Sequence, residues 1–417
     1  MKVLAFSSYY TPEIAASMYL TENIYEGIVE AGNTLEVYVP MPTRGISKEV
    51  RSEYKQKKSE QKYSGRLTVH RFSMYREGKS SILRAFRYLV INMAFIWKGL
   101  KTKADVIFVQ STPPTQGMMA GMLGAIKHIP VVYNLQDVFP DSLVNLGMTQ
   151  EGSIIWRIGR KVEDYSYRHC KKIIVISEDF KRNILAKGVP EEKIVVIPNW
   201  ADVGGVYPVE RKDNLLIKKY GLDPHKYYIT YSGNIGLSQN MDLLLDAAKE
   251  LKEELPELTF ILIGDGADRE RVKNRTEEES ITNVILLPFQ PYADIAHVFS
   301  IGDAGLIISK AGVGNTSVPS KTWNIMAAGR PILASFDMDS ELVKLIKTEQ
   351  IGLCSDANDY DGLIRNIKEL YNNRGLDLQL GKNGREYIRR YHNKIEYTRQ
   401  YADTVHSAVY DEGVDIE

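Results

Sequence analysis

Two lysines, Lys310 and Lys321, bracket the small-residue loop "KAGVGNTSVPSK". The second opens a helical pattern, "KTWNIMAAGRP", that runs into the apolar stretch "ILAS". Backbone N–H groups at a helix start favour an anion. Two flanking ammonium groups suit an anion with more charge than a helix start neutralises, such as a diphosphate. Taken singly, either lysine reads as a solvated surface residue; the pair in this loop reads as function. Ser320 and Asn324 add polar groups at the same mouth. After "YYITYS" comes "GNIGLSQN", where Gly233 and Gly236 let the backbone approach a ligand closely. "LIGDG" places Asp265 between two glycines, a pattern that an ordinary tight turn also produces. The loop "SSYYTPEIAAS", residues 7–17, offers hydroxyls and N–H groups to a phosphate or a sugar, and reads equally well as a plain strand-to-helix connection.

Other chemistries find no residues. The seven histidines are scattered, without HExxH spacing, and no paired carboxylates or metal-ligand cluster stand out. There is no GxSxG elbow and no GxxxxGK[ST] loop. A GxGxxG fingerprint is missing after the first strand, which counts against a dehydrogenase. Lys plus Arg equal Asp plus Glu at 53 each, which excludes a nucleic-acid binder by composition. Two distant cysteines, Cys170 and Cys354, suit a reducing cytoplasm. "MKVLAFSSYY" reads as a first buried strand and not as a secretory signal.

The elements that must position these residues alternate along the chain. "KVLAFSS", "TLEVYVP", "ADVIFVQS", "IPVVYNLQ" and "KKIIVIS" are short apolar runs, each followed by a helical pattern. "YYITYSG", "LTFILIGDG", "NVILLPF", "AGLIIS" and "RPILAS" repeat the style in the second half. Continuous apolar runs are what strands covered by helices on both faces look like. The fold class expected is α/β, with two Rossmann-like, doubly wound domains facing a cleft. The boundary is expected near 205/206, within "IPNWADVGGVYPVERKDN". The final pattern, from "GREYIRRY" to "TVHSAV", reads as one long helix whose end, about 390–417, crosses back onto the first domain.

Charge is unevenly spread. From Arg44 to Lys103 there are sixteen Lys or Arg against four Glu. Within this segment lies "SILRAFRYLVINMAFIWKGLK", whose apolar run Tyr88–Trp97 is flanked by Arg84, Arg87, Lys98 and Lys101. Ten residues cannot span a bilayer. Such a helix can lie in a membrane interface, or it can be a core helix with solvated ends.

In joint order, "SSYYTPE", "PVVYNLQDVFPDSLVNLG", "KKIIVISEDFKRNILAKGVPEEKIVVIPNWAD", "YSGNIGLSQNMDLLLDAAKEL", "FILIGDGADRERV" and "VPSKTWNIMAAGRPILAS" resemble the retaining GT-B glycosyltransferases of family 4. The resemblance covers nearly the whole chain. It is nearest to the bacterial branch that builds surface polysaccharides, including colanic-acid and O-antigen fucosyl- and N-acetylfucosaminyl-transferases. It implies that residues 206–389 hold a nucleotide-sugar of UDP or GDP type and residues 1–205 the acceptor. The implied reaction is sugar transfer with retention, without a cofactor or metal, onto a glycan carried on a polyprenyl diphosphate. The implied place is the inner face of the cytoplasmic membrane, reached through 81–101.

The resemblance also assigns residues. Where many members carry two glutamates eight residues apart, this chain has Thr316 and Asn324, with Glu341 as a nearby carboxylate for the ribose. Where an Arg and a Lys commonly hold the diphosphate, it has Asn234 and Gln239, so the charge falls to Lys310 and Lys321. Gln136 stands where many members carry a His beside the reacting sugar, next to Asp137. The implied catalytic set is Lys321, Lys310 and Asp137. The implied donor set is Gly233, Asn234, Gly236, Gln239, Asp265, Gln290, Ser320, Asn324 and Glu341. Tyr10, Thr11, Glu13, Ser17 and Gln136 are the implied acceptor set. Two alternatives share the fold: a nucleotide-sugar 2-epimerase, and a non-catalytic subunit of a glycan-assembly complex.

Overall fold

The computed structural model describes the chain except residues 14–17, 45, 77–80, 112, 146, 202, 315–317, 392–393 and 411–417, with only the backbone at 81 and 82. It forms two compact units, Met1–Pro198 with Lys394–Glu417, and Asn199–Asn393. The chain therefore passes between them at 198/199, within the Gly- and Pro-rich stretch 197–214 that suggested 205/206.

The first unit is built on strands β1 (Lys2–Phe6), β2 (Thr34–Pro40), β3 (Ser59–Lys62), β4 (Leu67–Phe72), β5 (Val106–Gln110), β6 (Val131–Leu135), β7 (Lys172–Val175) and β8 (Ile194–Val196). Their order is β3-β4-β2-β1-β5-β6-β7-β8, parallel except for the antiparallel β3–β4 pair. The apolar runs of β1, β5 and β6 are buried at the sheet centre. β3 and β4 lie outside the runs read from the sequence: β3 is the polar "SEQK", and β4 alternates buried with half-buried residues. The chain runs outward in both directions from β1, so right-handed crossovers place helices on opposite faces. Helix 18–30 packs with helix 394–410, and helix 115–127 packs against both 81–101 and 154–169. The crossing of 115–127 with 154–169 is close, since a Cβ on Gly117 would lie 2.8 Å from the Ser166 side chain.

The second unit contains β9 (Tyr227–Asn234), β10 (Leu258–Asp265), β11 (Val284–Leu287), β12 (Ala304–Ile308), β13 (Ile332–Ser335) and β14 (Gly352–Ser355). All six are parallel, in the order β11-β10-β9-β12-β13-β14. Two apolar clusters fill the unit. One includes Ile261, Ile307, Met326 and Ile388; the other includes Tyr231, Leu244, Leu262 and Ile367.

The long C-terminal pattern is two helices, Arg374–Tyr391 and Lys394–Tyr410. Their apolar faces serve different units, which explains why one period runs through both. Ile388 joins the core of the second unit, whereas Tyr401 is buried in the first, its hydroxyl 3.2 Å from Asn134 Oδ1.

Candidate active site

In the second unit the winding reverses between β9 and β12, and the loops that leave these two strands diverge. Ligands of open parallel sheets sit at such a point, beyond the carboxyl ends of the strands. The two loops are tied where they start, by a bond from Lys310 N–H to the Ser238 carbonyl (2.9 Å). Gly233, at φ 138°, and Gly264 are register partners at the ends of β9 and β10. A Cβ on Gly264 would come within 1.9 Å of the Gly233 carbonyl oxygen, so only glycine fits this corner.

Lys321 enters the corner from the far side of the small-residue loop. It opens the helix Lys321–Ala327 and lays its ammonium 3.5 Å from the centroid of the Tyr231 ring. The Nζ also stands 3.5 Å from where a Cβ of Gly233 would be. Among the described residues no carboxylate pairs with it. Desolvation by the surrounding protein pulls its pKa down to about 7. Tyr231 is held in turn by donating its hydroxyl to the Asn234 carbonyl (2.6 Å). Lys310 lies at the end of the neighbouring strand, β12, with its side chain exposed.

The other expected donor residues divide by what their side chains already touch. Asn234 and Asp265 are exposed at the strand ends, the latter accepting from Gly266 N–H (2.8 Å). Gln239 shapes its own turn, accepting from Gly236 N–H (2.9 Å) and donating to Ser238 Oγ (2.9 Å). Ser320 and Asn324 are half-buried on the turn and helix that carry Lys321, and Ser320 forms no side-chain cap. Glu341 opens the helix Glu341–Thr348 behind its cap Ser340. Gln290 is a correction. Its amide accepts from Lys219 Nζ (3.1 Å) and donates to Tyr220 Oη (2.9 Å) and the Pro288 carbonyl (2.6 Å), so it anchors the loop after β11 from within. Thr316 lies outside the described residues.

In the first unit, the loops after β1 and β6 place the expected acceptor residues unevenly. Asp137, in the loop after β6, keeps contact with solvent. The protein packed around its carboxyl nevertheless raises its pKa to about 6, against opposing hydrogen bonds from Ser142 and Val138. Gln136 donates its N–H to Ser111 Oγ and its amide to Asn134 Oδ1, both at 2.9 Å. Thr11 donates its hydroxyl to Glu22, and its carbonyl accepts from Arg71 (2.8 Å).

Two further acceptor assignments are corrected. Tyr10 is a core side chain, 1% exposed and packed by Tyr25. Glu13 is buried, and its carboxylate accepts from the backbone N–H groups of Tyr10 (3.2 Å), Thr43 (2.7 Å) and Arg44 (3.0 Å). It fastens the loops after β1 and β2 together. Ser17 lies outside the described residues.

Two contributors escaped the sequence reading. Tyr231 is the platform for Lys321. Asp337, after β13, accepts from Gly312 N–H (2.8 Å) and Gly314 N–H (2.7 Å) and so shapes the loop between the two lysines. An Asp just past a strand end was the available signal.

The comparisons now decide the class. Residues 212–387 match the family Glycosyl transferases group 1, and residues 19–200 match the Glycosyl transferase 4-like domain. The two matches lie one in each unit. This chain is a glycosyltransferase of the group 1, GT-B type. The glycosyltransferase is 25% identical, over 97% of its length and 100% of the relative's, to the Escherichia coli K12 protein named as the colanic acid biosynthesis glycosyl transferase WcaI. It is also 25% identical to the Escherichia coli UDP-Gal:alpha-D-GlcNAc-diphosphoundecaprenol alpha-1,3-galactosyltransferase, over 52% of its own chain and 54% of the relative. Its fold matches the crystal structure of Anabaena HepE in complex with UDP-glucose, with a TM-score of 0.73 at 15% identity, covering 98% of this chain and 100% of HepE.

Proposed function

We propose that this glycosyltransferase moves a sugar from a nucleotide-diphosphate donor to a glycan acceptor on a polyprenyl diphosphate, with retention at the anomeric carbon, as family 4 enzymes do. The observation that carries the reading is Lys321: a cation without a carboxylate partner among the described residues, held beside a glycine corner at the point where the second sheet reverses. That geometry suits a leaving diphosphate. Charge builds on the leaving group as the anomeric bond breaks, and a preorganised cation in a desolvated site lowers that barrier. Lys310 and the loop shaped by Asp337 complete the contact. Asn324, or Glu341 in its place, reads the ribose. Asp137, with its raised pKa, is assigned to the transferred sugar by the family resemblance. A leaving phosphate oxygen takes the acceptor hydroxyl's proton on the same face, so no separate base is needed.

The names of the relatives support the setting. One is named for colanic acid biosynthesis, and one for transfer from UDP-galactose to a diphosphoundecaprenol-linked sugar. Surface polysaccharide assembly at the cytoplasmic membrane follows as the proposed role. Among the described residues no helix is long and apolar enough to cross a membrane. Helix 81–101 instead exposes Leu83, Phe86, Leu89, Met93, Trp97 and Leu100 along one side, and Ile126 is exposed on the helix packed beside it. Lys101 stacks 3.7 Å over the Trp97 ring at the rim. Such an amphipathic surface supports peripheral attachment to a membrane. Arg87 takes no part in it, since its side chain is fully buried at the border of that face.

A panel of UDP-, GDP- and dTDP-sugars, each with a short-chain polyprenyl-diphosphate glycan, tests the function. NMR of the product should show the donor's anomeric configuration preserved. An inverted product would overturn the family 4 mechanism. An epimer formed from donor alone would restore the epimerase reading.

A further inference from the structure

We propose that an arginine cluster at the carboxyl edge of the first unit's sheet, formed by Arg87, Arg51, Arg76 and Arg44, binds the diphosphate of the lipid-linked acceptor. The proposal rests on the acceptor reading above and concerns a site that reading did not contain.

Three loops meet there, following β1, β2 and β4. Glu13 fastens the first two, as described. Arg51, on the helix Lys48–Gln56, bridges the second and third by donating to the Pro42 and Met74 carbonyls, each at 2.8 Å. Arg87 reaches the same two loops from helix 81–101, with Nε 3.4 Å from the Tyr75 carbonyl and Nη2 3.3 Å from Thr43 Oγ1. Both arginines thus bracket residues 42–43 and 74–75. Arg44 extends from the second loop over the Tyr9 ring, and Arg76 from the third, both exposed.

Charge does not balance in this cluster. Arg87 is 0% exposed, yet its Nη1 has no hydrogen-bond partner. Buried guanidinium groups are ordinarily paired. The nearby carboxylate of Glu13 is already engaged by three backbone N–H groups, and no ion pair joins it to any of the four arginines among the described residues. Burial, and then the like charges of Arg76 and Arg87, make Arg51 less basic than a free arginine. Among the described residues Arg51 has Arg76, Arg87 and Glu13 as its charged neighbours, three guanidiniums to one carboxylate, with a buried donor to spare. Planar guanidinium forks match phosphate oxygens, and an anionic ligand would supply the missing counter-charge.

The position selects the kind of phosphate. Arg87 and Phe86 are adjacent on helix 81–101, yet one is fully buried and the other 55% exposed on the apolar side. A prenyl chain lying along that side would bring its diphosphate to the helix that carries Arg87.

Calorimetry on the full chain saturated with UDP tests this, with inorganic pyrophosphate, farnesyl diphosphate and phosphatidylglycerol vesicles as probes. Farnesyl diphosphate should bind and compete with pyrophosphate. Arg87→Met and Arg76→Gln should each weaken it tenfold or more, with UDP affinity and vesicle binding retained. Because Arg87 is buried without full pairing, Arg87→Met should melt no lower than the wild type. A lower melting temperature with unchanged farnesyl diphosphate affinity would make Arg87 structural and overturn the proposal. Should Arg87→Met not fold, unchanged affinity in the exposed-site variant Arg76→Gln would overturn it alone. Binding of pyrophosphate but not farnesyl diphosphate would assign the site to free phosphate. Loss of vesicle binding in step with diphosphate would assign it to a lipid headgroup, and either result rejects the acceptor. Failure of the wild type to bind UDP would count against the function above and leave the farnesyl diphosphate result to stand separately.

Discussion

Lys321→Ala is expected to weaken nucleotide-diphosphate binding by about tenfold or more, the loss of a charge-assisted contact of roughly 1.5–3 kcal/mol. The effect on turnover should be larger, about 10²–10³-fold in kcat, because the cation meets charge that peaks in the transition state. Lys310→Ala should cost less on both counts, since that side chain is solvated. Stability should not fall with Lys321→Ala. The lysine's folded-state pKa, about 7, lies below the free value of about 10.4, so protonation opposes folding. The neutral amine's contribution is lost as pH falls through that interval, and alanine removes the penalty. Titration calorimetry and melting curves together check this. Unchanged affinity in both variants would remove the lysines from the site.

The second large effect is at the membrane. Replacing Phe86 and Trp97 together by glutamate should abolish flotation with anionic vesicles. Each large apolar side chain contributes about 1.5–3 kcal/mol when buried, so losing two lowers the partition more than about a hundredfold. Nucleotide affinity should stay at the wild-type value, because both side chains are exposed, at 55% and 56%, and lie in the other unit. Flotation that survives the double substitution would show that another surface docks. The sequence pairing of Arg84 with Arg87 as membrane contacts fails on burial, so a charge reversal at Arg87 would probe folding.

How far the sequence could be read follows from how local each feature is. The central strands are legible because burial on both faces makes them continuous apolar runs, as in "VVYNL" of β6. The β3–β4 hairpin is not, since β3 is a polar edge strand and β4 beside it buries only alternate residues, so neither gives a continuous apolar run. Lys321 is legible because its motif is local: small residues, a lysine and a helix start. Its platform, Tyr231, lies ninety positions earlier in a buried strand, and no spacing rule links the two. Glu13 and Tyr10 mislead for the same reason. A carboxylate and a hydroxyl beside a strand end look displayed, but Thr43 and Arg44, thirty residues on, turn their N–H groups to Glu13. Arg87 inverts the error, for an arginine at the border of an apolar run reads as solvated when it is the residue turned inward.

The central claim is that a desolvated Lys321 receives the donor diphosphate, and proton uptake on binding tests it most directly. An amine with a pKa near 7 is mostly neutral at pH 8, and an arriving diphosphate must charge it. Titration of UDP in two buffers of different ionisation enthalpy at pH 8 should give uptake of close to one proton per nucleotide. Affinity should fall as pH rises above 7, and both effects should vanish in Lys321→Met. Binding without proton uptake, at an affinity indifferent to Lys321→Met, would contradict the account.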